Sequence, residues 1–181
     1  VVKAAGGDPE KVKILTTGTS DFLQASESGQ IDFAWIFEGW DYTNALNKGA
    51  EVDFIPLRDL SDVFDYYTPV IVTNEDNIKN NRELVENFMR AVQKGYKFAV
   101  SNPVEAAECL LELAPELDRE LVTESQKFLA SKYQDDAPYW GMQKKEVWDR
   151  YMKWLNENKF IDSEIDVEKA FTNEFLQAEK Q

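Results

Sequence analysis

The chain has 181 residues, and its 20 Lys and Arg against 34 Asp and Glu give a formal net charge of −14 at pH 7. A chain this acidic repels a phosphate backbone, so we do not expect nucleic acid as a partner. The sequence contains no histidine, which excludes a Ser-His-Asp nucleophile system and an HExxH zinc site from these residues. Its composition is typical of one ordinary domain or two small lobes.

The first part of the chain alternates predicted strands with short predicted helices. The strands are predicted at 11–17, 31–37 and 51–57, with helices at 21–29 and 40–49 between them. Strands that alternate with single helices favour parallel pairing through right-handed crossovers. The sequence therefore predicts an α/β sheet. The almost continuous apolar run IDFAWIF is its predicted central strand, because a strand covered on both faces has this pattern.

The pattern changes to long helices after a fourth predicted strand at 66–74. Pro69 lies inside that strand, so we expect it at a sheet edge or where the chain crosses from one sheet to another. Helices are then predicted at 81–100, 103–113, 118–131, 144–158 and 166–175. The first of these carries apolar residues at i, i+3 and i+4 spacing, which predicts a stripe packed on a core.

The turn after the first predicted strand is one candidate site. Ligands of open α/β sheets bind beyond the carboxyl ends of the strands. Gly18, Thr19 and Ser20 follow the strand at 11–17, and hydroxyls and backbone N–H groups at a helix start can hold a carboxylate, a phosphate or a polar ring edge. The same residues are also explained as a turn and N-cap of the next helix, and both interpretations stay open here.

The second candidate site is an acidic residue among aromatic residues at the end of the predicted central strand. Glu38 lies between Trp35 and Trp40; a carboxylate accepts N–H bonds from an aminopyrimidine-like edge, and indole rings stack on a heterocycle. The alternative places Trp35 in the core and makes Glu38 a first-turn acid favoured by the helix dipole. Tyr66 and Tyr67 begin the crossing strand, and alternation lets one of them face a cleft between lobes.

No catalytic or metal-binding constellation is predicted. The loop DDAPYWG at 135–141 lacks the alternating oxygen ligands and the distal Glu of a calcium loop. Cys109 is the single cysteine, which rules out an internal disulfide. We therefore expect a protein without a metal or cofactor that is not an enzyme.

The chain resembles the solute-binding proteins of the NMT/Thi type, in particular the ThiY-like group. The resemblance is carried by GGDPEKVKI, SGQIDFAWIFEGWDY, DYYTPVIVTN, the helical stretch at 82–122 and AFTNEFL. These proteins are substrate-binding subunits of ABC importers for thiamine-pyrimidine precursors, with relatives for riboflavin and alkanesulfonates. The resemblance implies an α/β fold of the type II periplasmic-binding kind, with two lobes and parallel-rich sheets.

The resemblance also implies how the chain is divided and what it binds. Residues 1–64 correspond to the second α/β lobe without its first strand and helix, and residues 65–181 to the crossover strand and the C-terminal helical part of the first lobe. The chain is thus expected to be a C-terminal portion. A Glu that helps hold the pyrimidine in this family corresponds to Glu38, and polar contacts from the preceding turn correspond to 18–20.

The resemblance implies two partners: a small aromatic heterocycle of the thiamine pyrimidine precursor class as ligand, and an ABC permease. The implied location is extracytoplasmic, with membrane attachment only through an anchor outside this chain. The family also contains a fungal pyrimidine synthase that uses its own histidine and a lysine-bound pyridoxal phosphate. Because histidine is absent here, a binding protein is the expected function, and the synthase is the alternative from another class.

Overall fold

The computed structural model describes residues 1–3, 5–16 and 21–176, and the secondary structure within them is helical. Two 3₁₀ turns lie at Pro9–Lys11 and Asp62–Phe64, and a π-helical turn at Glu38–Tyr42 leads into the second helix. The α-helices are α1 Phe22–Glu27, α2 Thr43–Asn47, α3 Leu57–Leu60, α4 Glu75–Asn80, α5 Arg82–Ser101, α6 Pro103–Leu113, α7 Arg119–Ala130, α8 Lys145–Glu157 and α9 Val167–Ala170.

The long helices begin and end where local sequence signals place them. Pro103 opens α6 at a position where its missing N–H costs nothing. The Asp118 side chain accepts a hydrogen bond of 2.8 Å from the Leu121 N–H and caps α7. The predicted helices at 81–100, 103–113, 118–131 and 144–158 are confirmed within a residue at each end. The helix predicted at 166–175 is wrong in length, since α9 has one turn.

The core lies among α5, α6 and α7. Ala107, Leu111 and Val122 form a buried cluster with Leu117 packed against it. Trp140, in the loop after α7, is buried and stacks on Tyr96 of α5 with ring centroids 4.5 Å apart. Helix α5 also packs on both α6 and α7, so the three successive helices form one packed unit.

A second packed region is aromatic and runs along α8. Tyr66 stacks on Tyr151 at 4.4 Å, and Phe64 meets Trp154 edge-on at 5.7 Å. Ring pairs of this kind stabilise a fold beyond the area they bury. The chain that precedes the long helices is therefore held against α8 by its aromatic residues.

The predicted α/β fold with two lobes and parallel-rich sheets is wrong for this structure. The described residues contain no β-strand, and no backbone hydrogen bond joins any two of the segments 11–16, 31–37, 51–56 and 66–74. Several of their apolar side chains are exposed, with 70% for Phe33, 74% for Trp35 and 82% for Val72. A strand is stable only beside a partner strand; the sequence pattern indicated side chains suited to burial and could not supply that partner.

The accessible surface is large for the mass. The chain exposes 13756 Å² at 20.9 kDa, against about 9,000 Å² for a compact protein of that mass. The stripe of α5 contributes to the excess, because Leu84 and Phe88 are exposed rather than packed on a core as predicted. The described helices include none with the length and apolarity needed to cross a bilayer.

Contacts connect the parts of the chain on either side of residue 64. The π-helical turn and α2 pack on α7, and the 3₁₀ turn at Asp62–Phe64 packs on α8. These contacts fix where the turn that carries Glu38 lies relative to the long helices. The division into 1–64 and 65–181 stays a prediction.

Candidate ligand-binding site

The backbone around Glu38 closes on itself. The N–H groups of Trp40, Asp41 and Tyr42 converge on the Phe37 carbonyl oxygen at 3.2, 2.9 and 3.3 Å. In return, the Asp41 carboxylate accepts a 2.8 Å hydrogen bond from the Phe37 N–H. The turn therefore holds its shape through its own hydrogen bonds.

Helix α7 packs directly against this turn. Gly39 is buried, and a Cβ built on it would lie 2.8 Å from Leu129 Cδ2. The Glu38 carbonyl oxygen accepts a 3.2 Å hydrogen bond from the Thr43 hydroxyl. Because glycine is the residue without a Cβ, it allows the backbone to approach α7 this closely.

The Glu38 side chain points to a cation from another element. Its Oε2 accepts a 3.2 Å hydrogen bond from an Arg58 guanidinium N–H in α3, and the two side chains are 31% and 45% exposed. Sequence reasoning missed Arg58. The available signal was its position at the end of the predicted strand at 51–57, since Glu38 likewise follows a predicted strand.

Two indole rings flank this carboxylate in sequence and are open to solvent. Trp35 is 74% exposed, and Trp40, which lies within the π-helical turn, is 38% exposed. The interpretation that Trp35 is a core residue is wrong. An exposed ring of this size is available to stack on a planar ligand.

The two tyrosines that begin the crossing segment are engaged by α8. Tyr66 stacks on Tyr151, and the Tyr67 hydroxyl accepts a 2.8 Å hydrogen bond from the Lys144 N–H at the start of α8. Burial against Tyr66 raises the pKa of the Tyr151 phenol above its ordinary value. A cavity of about 210 Å³ lies between these tyrosines and Val147, Trp148 and Met152. The structure thus places Tyr66 and Tyr67 with α8, and Glu38 with α3 and α7.

The third predicted group, Gly18, Thr19 and Ser20, lies outside the described residues. The helix that follows is capped by Asp21, whose carboxylate accepts a 2.9 Å hydrogen bond from the Leu23 N–H. The N-cap of α1 is therefore Asp21, so the prediction of Thr19 or Ser20 as its N-cap is wrong.

The larger described cavity, about 910 Å³, is an apolar groove. One wall is the extended segment 69–73, the second is the exposed stripe of α5, and the third is the chain at 168–176. Its volume lies in the range of small-molecule pockets. Glu38, Trp35 and Trp40 are not among the described residues that line it.

The described residues contain no cluster of three or more His, Cys, Asp or Glu side chains that could hold a metal ion. The loop at 135–141 is held by a backbone hydrogen bond, in which the Ala137 N–H donates to the Gln134 carbonyl oxygen at 3.0 Å, and by the stacking of Trp140 on Tyr96.

The groups at and near Glu38 are suited to binding a ligand: a carboxylate, a guanidinium and exposed indole rings.

Comparison with known proteins finds a matching family model and several similar proteins. A family model described as NMT1/THI5 like matches residues 1–106. The formylaminopyrimidine-binding protein of Halalkalibacterium halodurans is 30% identical over 179 residues, 96% of this chain and 53% of that protein. The chain thus spans about half the length of the relative.

Two further relatives match shorter stretches. The riboflavin-binding protein RibY of Chloroflexus aurantiacus is 32% identical over 137 residues, 71% of this chain and 38% of that protein. A 4-amino-5-hydroxymethyl-2-methylpyrimidine phosphate synthase of Legionella pneumophila is 31% identical over 97 residues, 52% of this chain and 28% of that protein. The two relatives that cover most of the chain are binding proteins, and the resemblance to the NMT/Thi type is confirmed.

Proposed function

This chain belongs to the NMT1/THI5 like family, and we propose that it acts as the extracytoplasmic solute-binding subunit of an ABC importer. The proposed ligand is a small aromatic heterocycle of the thiamine pyrimidine precursor class, of the hydroxymethylpyrimidine or formylaminopyrimidine type. The ABC permease, the extracytoplasmic location and an anchor outside this chain are parts of the same proposal. In it the chain is not an enzyme and uses no cofactor.

The observation that carries the proposal is the similarity over 96% of the chain to a formylaminopyrimidine-binding protein. The geometry around Glu38 supports it. A carboxylate on a hydrogen-bonded turn accepts N–H groups from an aminopyrimidine edge, and charge-assisted bonds of this type are about twice as strong as neutral ones. Trp35 and Trp40 supply rings for the faces of the heterocycle.

The proposal also includes the remaining predicted contacts. Gly18, Thr19 and Ser20 supply polar contacts in the proposed complex, as the resemblance implies. Tyr66 and Tyr67 contact α8 in this structure, so a role in binding requires that one of these rings leave its present neighbours.

Riboflavin is the alternative ligand, supported by the relative RibY, which matches 71% of the chain. An alkanesulfonate is a weaker alternative, because Glu38 would repel its anionic group. The synthase function has the Legionella relative in its favour. It would need a histidine that the 181 residues do not contain.

Native mass spectrometry of the purified protein tests the proposal. The protein is titrated with aminopyrimidines, riboflavin and alkanesulfonates, and the Halalkalibacterium relative serves as positive control for the pyrimidine arm. A retained or newly bound aminopyrimidine supports the importer proposal. Binding by the relative alone would contradict it, and a covalently held pyridoxal phosphate with its yellow absorbance would favour the synthase.

A further inference from the structure

The ion pair between Glu38 and Arg58 joins two different elements at the surface. The donor nitrogen of Arg58 lies 3.2 Å from Oε2 of Glu38. Within the described part of the chain, the other carboxylate oxygen, Oε1, accepts no hydrogen bond, and the guanidinium uses one of its five N–H groups. Both charged ends therefore have hydrogen-bonding capacity left for a third molecule.

The fold does not depend on this pair to hold the turn in place. Hydrogen bonds to the Phe37 carbonyl oxygen and the contact of Gly39 with Leu129 already fix the backbone. Exposed ion pairs contribute little to stability in general. By contrast, the Lys48–Asp21 pair of the same 3.2 Å length shares its carboxylate with the cap of α1. Of these two ion pairs, only the Lys48–Asp21 pair uses a carboxylate that also caps a helix. The Glu38 carboxylate caps no described helix.

A carboxylate only accepts hydrogen bonds, and a guanidinium only donates them. Set side by side, they complement a planar edge on which an N–H donor lies next to an acceptor atom. The edge of a 4-aminopyrimidine has this arrangement, with its amino group beside a ring nitrogen, and so does an amide or imide edge. A ligand that lacks either atom leaves one protein group without its partner, which is how hydrogen-bonding sites discriminate.

We propose that Arg58 contacts the ligand and that Glu38 and Arg58 together select heterocycles carrying a donor beside an acceptor. This inference rests on the proposed function and names the ligand edge that the site reads. Glu38 accepts from the ligand N–H, and Arg58 donates to the neighbouring ring nitrogen or carbonyl oxygen.

Isothermal titration calorimetry with three small probes tests the inference. 4-Amino-2-methylpyrimidine carries both atoms, 4-dimethylamino-2-methylpyrimidine lacks the donor, and 3-methylaniline lacks the acceptor. The variants are Glu38→Gln and Arg58→Met. The matched control is Arg82→Met, which removes an arginine paired at the surface with Glu86 and Glu174. Circular dichroism melts confirm that each variant is folded.

We expect Arg58→Met to weaken 4-amino-2-methylpyrimidine about tenfold, the value of one hydrogen bond to a charged group. The same variant leaves 3-methylaniline unchanged, since that probe offers Arg58 no acceptor. Glu38→Gln weakens both amino probes but not the dimethylamino probe, and Arg82→Met changes none of them.

Each other outcome has a distinct meaning. If Arg58→Met weakens 3-methylaniline as much as the pyrimidine, Arg58 only positions Glu38 and the inference is overturned. If the pyrimidine binds the Arg58→Met variant as it binds the unaltered protein, the inference fails and the proposed function stands. If the unaltered protein binds no probe while the Halalkalibacterium relative does, both fail together.

Discussion

Gly39 and Leu129 are in direct contact, with no room between them for a further atom: a Cβ on Gly39 would stand 2.8 Å from Leu129 Cδ2 and 3.2 Å from Phe128 Cδ1. This contact joins the turn that carries Glu38 to α7. The position of the candidate carboxylate therefore depends on the packing of a helix that follows it by some eighty residues in sequence.

Replacing Gly39 by alanine should destabilise the protein and displace the turn. We expect a loss of about 1 kcal/mol in the free energy of unfolding, the low end for overpacking, because the Leu129 side chain must shift to admit the added methyl. Urea unfolding followed by circular dichroism measures it.

The control for this change is Gly95→Ala in α5, where a Cβ meets no atom within 4 Å. That substitution should stabilise the helix by about 0.5–1 kcal/mol. Combining Gly39→Ala with Leu129→Ala should cost less than the sum of the two single changes, since the smaller residue makes room. Strict additivity would show that the contact does not limit this position.

The helices were predictable because their signals are local. The bounds of α6 follow from Pro103 at its start and from the alanine and proline after Leu113, and those of α7 from the Asp118 cap. The segment at 31–37 shows the limit of such reasoning. Its apolar run predicted a buried central strand, but a sheet is a relation between distant segments, and the described structure places no strand beside it and leaves Phe33 and Trp35 exposed.

The candidate site shows the same contrast between local signals, which the sequence reveals, and contacts between distant residues, which it does not. Glu38, Trp35 and Trp40 were proposed as site residues from their order in the sequence. Arg58 was missed because its pairing with Glu38 spans twenty residues and depends on how α3 is oriented. Likewise, the sequence offered Thr19 and Ser20 as the cap of α1, whereas the Asp21 carboxylate makes that hydrogen bond.

Truncating a buried and an exposed tryptophan should change the free energy of unfolding by very different amounts. Trp140→Ala should cost about 3–5 kcal/mol, because the ring is buried against Tyr96. Trp35→Ala should change stability by less than about 0.5 kcal/mol, since the side chain is largely in solvent. Urea unfolding of both variants checks this, and a loss at Trp35 equal to that at Trp140 would contradict the exposed placement.

Trp35→Ala should nevertheless weaken a stacked heterocycle, by about 0.5–1.5 kcal/mol of binding free energy. Calorimetry with 4-amino-2-methylpyrimidine measures this, with Trp35→Phe as the conservative variant that retains a ring. Equal affinity in the unaltered protein and Trp35→Ala would remove this residue from the proposed site.

Tyr67→Phe should expose the start of α8 to exchange. The hydroxyl accepts a 2.8 Å hydrogen bond from the Lys144 N–H, and its loss should cost about 0.5–1.5 kcal/mol. Hydrogen exchange should show a faster Lys144 amide in the variant. Tyr42→Phe is the control, because it keeps the ring stacked 4.5 Å from Phe54 and lies far from α8 in sequence. An unchanged Lys144 amide would show that this bond is not populated in solution.

Asp21 should make stability depend on acid pH. The hydrogen bond from the Leu23 N–H lowers the pKa of the Asp21 carboxyl below its ordinary value; burial opposes it with the next largest effect, and Lys48 lowers the pKa further. Because the unfolded chain binds this proton at about pH 3.9, the stabilisation is fully present above that pH and is lost as pH falls through the lower folded pKa. Asp21→Asn keeps an oxygen for the cap but cannot ionise, so the stability difference between the two proteins should shrink as the pH is lowered through this window. Lys48→Gln, which leaves the Leu23 bond intact, should remove only part of that difference. Parallel stability curves for the unaltered protein and Asp21→Asn from pH 6 to about pH 2.5 would show that the cap contributes no pH dependence.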